Sequence, residues 1–313
     1  MLCSFMYKYF DLLPLFQQKS IKHNFCSVAV DNNYFLSAEQ KQFYLENGYL
    51  VIKRIFDFDE LYNFKQHFIR IAKGLVDKGN STVVREPSLV KKGMTGEQAI
   101  NKVQEIHYDD VFMKYTEHPK LLNVVSQFIG DNIRVMNSMF INKPPGSSHH
   151  PPHQDLFYFP FRPAEKIIAS WTAVDEVTKD NGCLFIIPRS HKLNHLYVHG
   201  HLPDANKLYH GILDKSVFDS SKYVQLEMTP GDTVFFHPLL VHGSGPNITK
   251  FYRKSITAHY ASGYCQYVDV GGTVQEVVAK DIENEAQRRG FDLTFVDTWR
   301  FKSKQVMGAR ANL

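Results

Sequence analysis

The segment Pro230-Gly231-Asp232-Thr233-Val234-Phe235-Phe236, continuing through His237-Pro238-Leu239-Leu240-Val241 to His242-Gly243-Ser244-Gly245, sets the architecture of this chain. Pro-Gly-Asp is a turn, and it opens a short strand of aromatic and β-branched residues. The apolar run ends on a histidine. A Gly-rich turn after it lets backbone and ligand approach that histidine closely. The same texture extends outward. Ile133–Ile141 reads as a strand cut by Pro144-Pro145-Gly146, and Ile167–Val174 as another. Asp180-Asn181-Gly182 turns the chain into Cys183–Ile187, and Lys254–Ala261 follows the histidine. Short strands at this spacing predict a β sandwich or barrel.

Ahead of this region the apolar period is helical. Ser37 with Gln40 makes a capping box for a helix that stops near Asn47-Gly48, and Tyr49–Ile52 follows as a buried strand. Asp57 or Asp59 caps a second helix. Leu61, Phe64, Phe68, Ile71 and Leu75 form one packing stripe on it, and Gly79 ends it. Residues 80–98 read as a polar, mobile loop and Pro119–Phe128 as a third helix. Residues 193–222 are a long insertion without a clear period, of the kind that serves as a lid. Val274–Arg289 reads as an amphipathic helix closed by Gly290. No Pro/Gly/Ser linker divides the chain. The expected layout is a flexible extension over residues 1–33 and a single domain over 34–313, mainly β with a helical N-terminal part.

Composition excludes several roles. The chain has 313 residues, 22% charged, with a net charge of +4 and no Lys/Arg run, so nucleic acid is not an expected partner. Residues 1–16 are apolar but broken by Lys8, Asp11 and Pro14, so neither a membrane span nor a signal peptide is expected there. Cysteines 3, 26, 183 and 265 form no C-x-x-C pair, which favours a reducing compartment.

The chemistry concentrates elsewhere. His153-Gln154-Asp155 is followed 87 positions later (242−155) by His242, and eleven further on by Arg253. Two imidazoles and a carboxylate are the donor set of a non-haem Fe(II) oxygenase, with three positions left open for a chelating 2-oxoacid and O2. In an extended segment residues i and i+2 point the same way, so His153 and Asp155 reach one ion while Gln154 points elsewhere, as pocket lining or ligand support. Arg253 begins the next strand, where a hairpin brings it beside His242. Its guanidinium suits the far carboxylate of 2-oxoglutarate. With 15 histidines in the chain, a chance H-x-D arises about once, so only the whole ensemble carries weight.

Longer motifs then coincide. Ile141-Asn142-Lys143-Pro144-Pro145, His153-Gln154-Asp155-Leu156-Phe157-Tyr158-Phe159-Pro160, Asp180-Asn181-Gly182-Cys183-Leu184 with Pro188 and Ser190-His191, and Gly231–Pro238 through His242-Gly243-Ser244 occur in order. From about Asn33 to the C-terminus the chain resembles the phytanoyl-CoA dioxygenase family. The resemblance implies a double-stranded β-helix of jelly-roll, cupin-like form. It also implies an enzyme using Fe(II), 2-oxoglutarate and O2, with ascorbate helpful. By position it implies His153, Asp155 and His242 as metal ligands, with Arg253 binding the distal carboxylate of 2-oxoglutarate. Lys102, Met139, Trp171 and Ser244 are implied cosubstrate contacts. Halogenating relatives have a small residue in place of Asp155, so a carboxylate there implies hydroxylation.

The implied reaction is 2-hydroxylation of a branched fatty acyl-CoA, with release of succinate and CO2, in fatty-acid α-oxidation. Two alternatives stand beside it. One is a hydroxylase of the same family acting on a non-CoA small molecule. The other is an idle β-helix that binds 2-oxoglutarate or acyl-CoA. Arg189 stands where the family usually has Gly; if that position needs φ > 0, the loop here must differ. Among other histidines, His149 and His150 read as surface or pocket-rim residues, His191 as a turn residue, and His237 and His259 as hydrogen-bonded core residues. Ala311-Asn312-Leu313 resembles a degenerate S-K-L address. With the family, this makes the peroxisome the expected location, an import receptor a partner, and the cytoplasm the alternative.

Overall fold

The computed structural model describes residues 34–203 and 209–309; the expected extension over 1–33 and the tripeptide Ala311-Asn312-Leu313 lie outside the described residues. The strands are β1 (Tyr49–Ile52), β2 (Thr82–Arg85), β3 (Ile100–Gln104), β4 (Ile133–Lys143), β5 (His150–His153), β6 (Phe161–Arg162), β7 (Ile167–Ala173), β8 (Leu184–Ile186), β9 (His199–Gly200), β10 (Gly211–Ile212), β11 (Val224–Leu226), β12 (Thr233–Phe236), β13 (His242–Ser244), β14 (Arg253–Ser262), β15 (Gln266–Tyr267) and β16 (Lys304–Met307). The helices are α1 (Ala38–Asn47), α2 (Phe58–Ala72), α3 (Pro87–Lys91), α4 (Met113–Thr116), α5 (Pro119–Ile129), α6 (Glu276–Arg288) and α7 (Phe295–Lys302).

Eight strands form a major antiparallel sheet in the order β1-β12-β7-β14-β4-β3-β2, with β16 also on β4. A four-stranded sheet, β11-β8-β13-β5, faces it. The result is a double-stranded β-helix. Every residue of β14 is buried, because both faces of the major sheet are covered. One face takes the helices: Phe68 of α2 stacks on Phe140 of β4, with ring centroids 4.8 Å apart. Truncating a buried Phe of this kind costs roughly 3–5 kcal/mol. The other face takes the minor sheet through Trp171, Val234 and Phe236 against Leu184, Ile186 and Leu226.

Both predicted caps form. Ser37 and Gln40 exchange hydrogen bonds at the start of α1, and Asp57 with Glu60 does the same for α2. Each cap satisfies amide groups that the helix itself leaves unpaired. The packing stripe of α2 stops at Ile71: the helix ends at Ala72, and Leu75, 66% exposed, lies beyond it. Gly79 therefore does not end this helix. Residues 80–98 are not a loop; they hold β2, which pairs with β3, and then α3. The insertion 193–222 carries β9 and β10, paired with each other. The C-terminal helix spans Glu276–Arg288, and α7 and β16 follow it unanticipated. Trp299 of α7 packs edge-on against Phe159, 5.1 Å away.

Arg189 adopts φ 70° itself, so the loop keeps the left-handed turn without a glycine. Its guanidinium pairs with Glu46.

Candidate metal centre and cosubstrate pocket

Strand register places the expected residues. Directly paired residues on antiparallel neighbours share a face, and the face alternates with period two. Lys102 pairs with Ile141, and Met139 with Thr257. Thr257 also pairs with Trp171, and Lys143 pairs with Arg253. Lys102, Met139, Lys143, Trp171, Arg253 and His259 therefore all point from the major sheet toward the minor one. Opposite them, His242 and Ser244 occupy alternate positions of β13, and His242 pairs with His153 of β5.

His153, Asp155 and His242 converge. Their nearest donor atoms lie within 4.8 Å of one another, and all three side chains are buried. Asp155 Oδ1 is 3.5 Å from His153 Nε2 and 3.7 Å from His242 Nε2. The two imidazoles are oriented alike. His153 Nδ1–H donates to the carbonyl of Pro151, and His242 Nδ1–H to that of Leu240, both at 2.9 Å. A carbonyl only accepts, so each Nδ1 carries a proton and each Nε2 faces Asp155. Imidazoles that hold metal ions are fixed in this manner. Burial, with His153 alongside, lowers the His242 pKa to about 4. Burial alone would raise the Asp155 pKa; His242, His259 and His153 outweigh it and hold the carboxyl well below its usual range. Two imidazole Nε2 atoms and a carboxylate facing one another fit a divalent ion of the borderline class, iron included.

Arg253 reaches this space by a different route from the one expected. It is not in a hairpin with His242. β13 belongs to the minor sheet and β14 to the major one, so residues 245–252 cross between the sheets. Gly243 and Ser244 accordingly lie in a strand, and a Cβ on Gly243 would meet Phe185 Cζ at 2.5 Å and the His150 carbonyl at 2.6 Å. Arg253 is buried and donates to Ser255 Oγ (2.8 Å) and to the Gly182 carbonyl (2.9 Å). Its Nε has no partner, and among the described residues no carboxylate pairs with it. Burial lowers its pKa to about 10, so it stays charged at neutral pH. Trp171 lies under the guanidinium, 5.4 Å from ring centroid to Cζ. Lys143, also buried, donates to Ser244 Oγ at 3.1 Å. A buried cation without an acid is costly, and this one lies where a ligand carboxylate can compensate it. Gly182 has φ 87°, and a Cβ there would meet Lys143 Cε at 2.6 Å, so glycine is needed where the two cations crowd the turn.

Sequence reasoning missed several neighbours. His259 is not a generic core residue: its Nε2 donates to Asp155 Oδ2 at 3.0 Å. His150 stacks on His153, centroids 4.0 Å apart, and Tyr209 of the insertion stacks on His150 at 3.9 Å. Lys102 Nζ lies 5.6 Å from the Tyr209 ring, and burial brings its pKa to about 8. Met139 accepts a contact from Gln104 Nε2 through its sulfur. Gln154 faces away, donating to the carbonyls of His195 and Leu239 and accepting from Tyr197 N–H. It ties the insertion to the segment between the two donors, where β5 gives way to a 3-10 turn. His237 fits its expected role, accepting the Leu239 N–H.

Comparison with known proteins decides the family. The profile described as phytanoyl-CoA dioxygenase (PhyH) matches residues 44–255. The chain belongs to the phytanoyl-CoA dioxygenase family. It is 42% identical over 305 residues to the rat "Phytanoyl-CoA dioxygenase, peroxisomal", covering 93% of this chain and 89% of the relative. It is 41% identical over 296 residues to the human protein of that name, covering 91% and 86%. It is 44% identical over 300 residues to a "Probable phytanoyl-CoA dioxygenase" of Caenorhabditis elegans, covering 89% and 95%. Solved structures share the fold at lower identity. EctD from S. alaskensis with 2-oxoglutarate and 5-hydroxyectoine aligns with a TM-score of 0.60 at 23% identity, covering 74% of this chain and 78% of that one. The epimerase SnoN with Fe3+, alpha ketoglutarate and nogalamycin RO aligns at 0.56 and 20%, covering 74% and 86%.

Proposed function

We propose that this family member is an Fe(II)- and 2-oxoglutarate-dependent hydroxylase that converts C2–H of a branched fatty acyl-CoA, of the phytanoyl-CoA type, to C2–OH. The observation that carries the reading is the conjunction of three converging donors with a buried guanidinium that lacks an acid of its own. The names of the rat and human relatives support the substrate class. His153 and His242 hold the ion through Nε2, and Asp155 through its carboxylate. When bound, ferrous iron with O2 and 2-oxoglutarate supplies the oxidising power: one oxygen atom enters the substrate C–H bond, and the other leaves in succinate as CO2 is released.

The chain's own residues do the rest. Arg253 grips the distal carboxylate, Lys143 adds a second positive charge, and Ser244 keeps Lys143 in place. Trp171 and Met139 wall the cosubstrate, and Lys102 continues the same face of the major sheet beyond them. His150 and Tyr209 cover His153 and keep water away from it. Among the described residues no helix is long and apolar enough to cross a membrane. The site of action is the peroxisome named for the relatives, reached through an import receptor that reads Ala311-Asn312-Leu313.

Iron-loaded protein supplied with 2-oxoglutarate, O2 and a panel of 3-methyl acyl-CoAs and their free acids tests this by mass spectrometry. The expected products are succinate and a 2-hydroxyacyl-CoA in equal amounts. Succinate without an oxygenated acyl-CoA would overturn the substrate, and no succinate would overturn the enzyme. A fluorescent fusion with and without the last three residues tests the address.

A further inference from the structure

We propose that His201, His210 and Asp281 form a second divalent-metal site of the zinc class, outside the cluster of His153, Asp155 and His242. Both histidines sit on the inserted hairpin, flanking β9 and β10, and Asp281 comes from α6. Their donor atoms also lie within 4.8 Å of one another. Asp281 Oδ2 is 3.0 Å from His210 Nε2 and 3.9 Å from His201 Nε2. Tetrahedral zinc with bonds of about 2.0–2.1 Å sets its donors roughly 3.3 Å apart, between these two values.

A hydrogen bond explains only one of the two histidines. At 3.9 Å, His201 and Asp281 are too far apart to share a proton well. Yet the two imidazoles stack, with centroids 4.3 Å apart and planes 29° apart. His201 Nδ1–H donates to the Tyr209 carbonyl at 3.3 Å, and its Nε2 faces the carboxylate. The arrangement repeats the Nδ1-to-carbonyl anchoring seen at His153 and His242. His210 is buried, while His201 and Asp281 are half-exposed, at 51% and 48%, so an ion can enter from solvent and keep a water as its fourth ligand. On binding, the proton that His210 Nε2 shares with Asp281 moves by way of solvent to Nδ1 of the same ring, which frees Nε2 for the ion.

The site's position gives it a consequence. It joins the insertion to α6, and Tyr209, next to His210, stacks on His150. Occupancy would hold Tyr209 against His150, which itself stacks on His153.

The test uses the full chain carrying His153→Ala and Asp155→Ala, so that the first cluster is silent, titrated with Co2+ and then with competing Zn2+. The expected result is one Co2+ per chain with the visible bands of a four-coordinate ion, displaced by Zn2+. Adding His201→Ala or Asp281→Asn should weaken binding at least about tenfold, since even outer-shell changes at metal sites cost that much. Zn2+ should also slow hydrogen exchange at residues 209–212 in the parent and not in the His201→Ala chain. In the chain with an intact first cluster, His201→Ala should remove one of two equivalents, which keeps the test open if the parent folds poorly. No uptake in either background, or uptake unchanged by both substitutions, would overturn the site.

Discussion

Replacing His259 by leucine tests whether Asp155 is positioned from behind. The imidazole donates through Nε2 to Asp155 Oδ2 at 3.0 Å, while Oδ1 faces the Nε2 atoms of His153 and His242. An ionised carboxylate only accepts, so Nε2 carries the proton, and Nδ1 has no partner of its own. A buried hydrogen bond to a charged group contributes about 1.5–3 kcal/mol. At 1.4 kcal/mol per factor of ten, its loss should weaken Fe(II) binding roughly 10–100-fold, the range found when outer partners of metal ligands are removed. Phe159 lies edge-on to the ring at 5.3 Å, so leucine keeps an apolar contact there. The metal-free variant should therefore lose no more stability than that hydrogen bond supplies, about 1.5–3 kcal/mol, and still unfold cooperatively. Anaerobic competition with a chromogenic chelator reads the affinity. His259→Gln restores an N–H donor and should recover part of the loss. Affinity within about twofold of the parent in the leucine variant, against the 10–100-fold expected, would refute the positioning argument.

Three further outcomes follow from the same structure. Arg253→Leu should raise the KM for 2-oxoglutarate steeply, by an amount equivalent to roughly 2–5 kcal/mol, the cost of removing one partner of a buried charge pair; steady-state kinetics with varied cosubstrate checks this. Acid should destabilise the fold below pH 6.5. Burial lowers the pKa of His107 to about 4 and of His199 and His237 to about 3. His199 and His237 each accept a backbone N–H through a ring nitrogen that protonation would block. These groups are neutral when folded but take up protons on unfolding below their ordinary value. Their stabilisation is whole above pH 6.5 and is lost as pH falls toward 4, at up to roughly 1.4 kcal/mol per unit per group. Thermal unfolding across that window measures it. Arg189→Gly should leave stability within about 1 kcal/mol, because relief of the positive φ is offset by greater freedom of the unfolded chain.

The caps of α1 and α2, and the short strands from Ile133 onward, were legible because each rests on neighbours in sequence. The convergence of His153 and Asp155 was legible for the same reason. What stayed hidden depends on register. His259 joins the site only because β14 pairs with β7 and β4 at one particular offset, and alternation along β14 alone does not say which face is inner. Arg253 was assigned to a hairpin because the stretch to His242 is short; the chain instead crosses between sheets there, which no local signal announces. β2 was missed because it is a short terminal strand of the major sheet with no fully buried position. Tyr209 lies in an insertion without a period, and only its stacking on His150 reveals where it goes.

The most direct measurement follows oxygen into product. Iron-loaded protein is given 2-oxoglutarate, a 3-methyl acyl-CoA and labelled O2, beside the Asp155→Ala chain. The account predicts one labelled oxygen in the acyl-CoA product at C2 and one in succinate, with neither formed by Asp155→Ala. An unlabelled or absent acyl-CoA product, or equal turnover without the carboxylate, would contradict it.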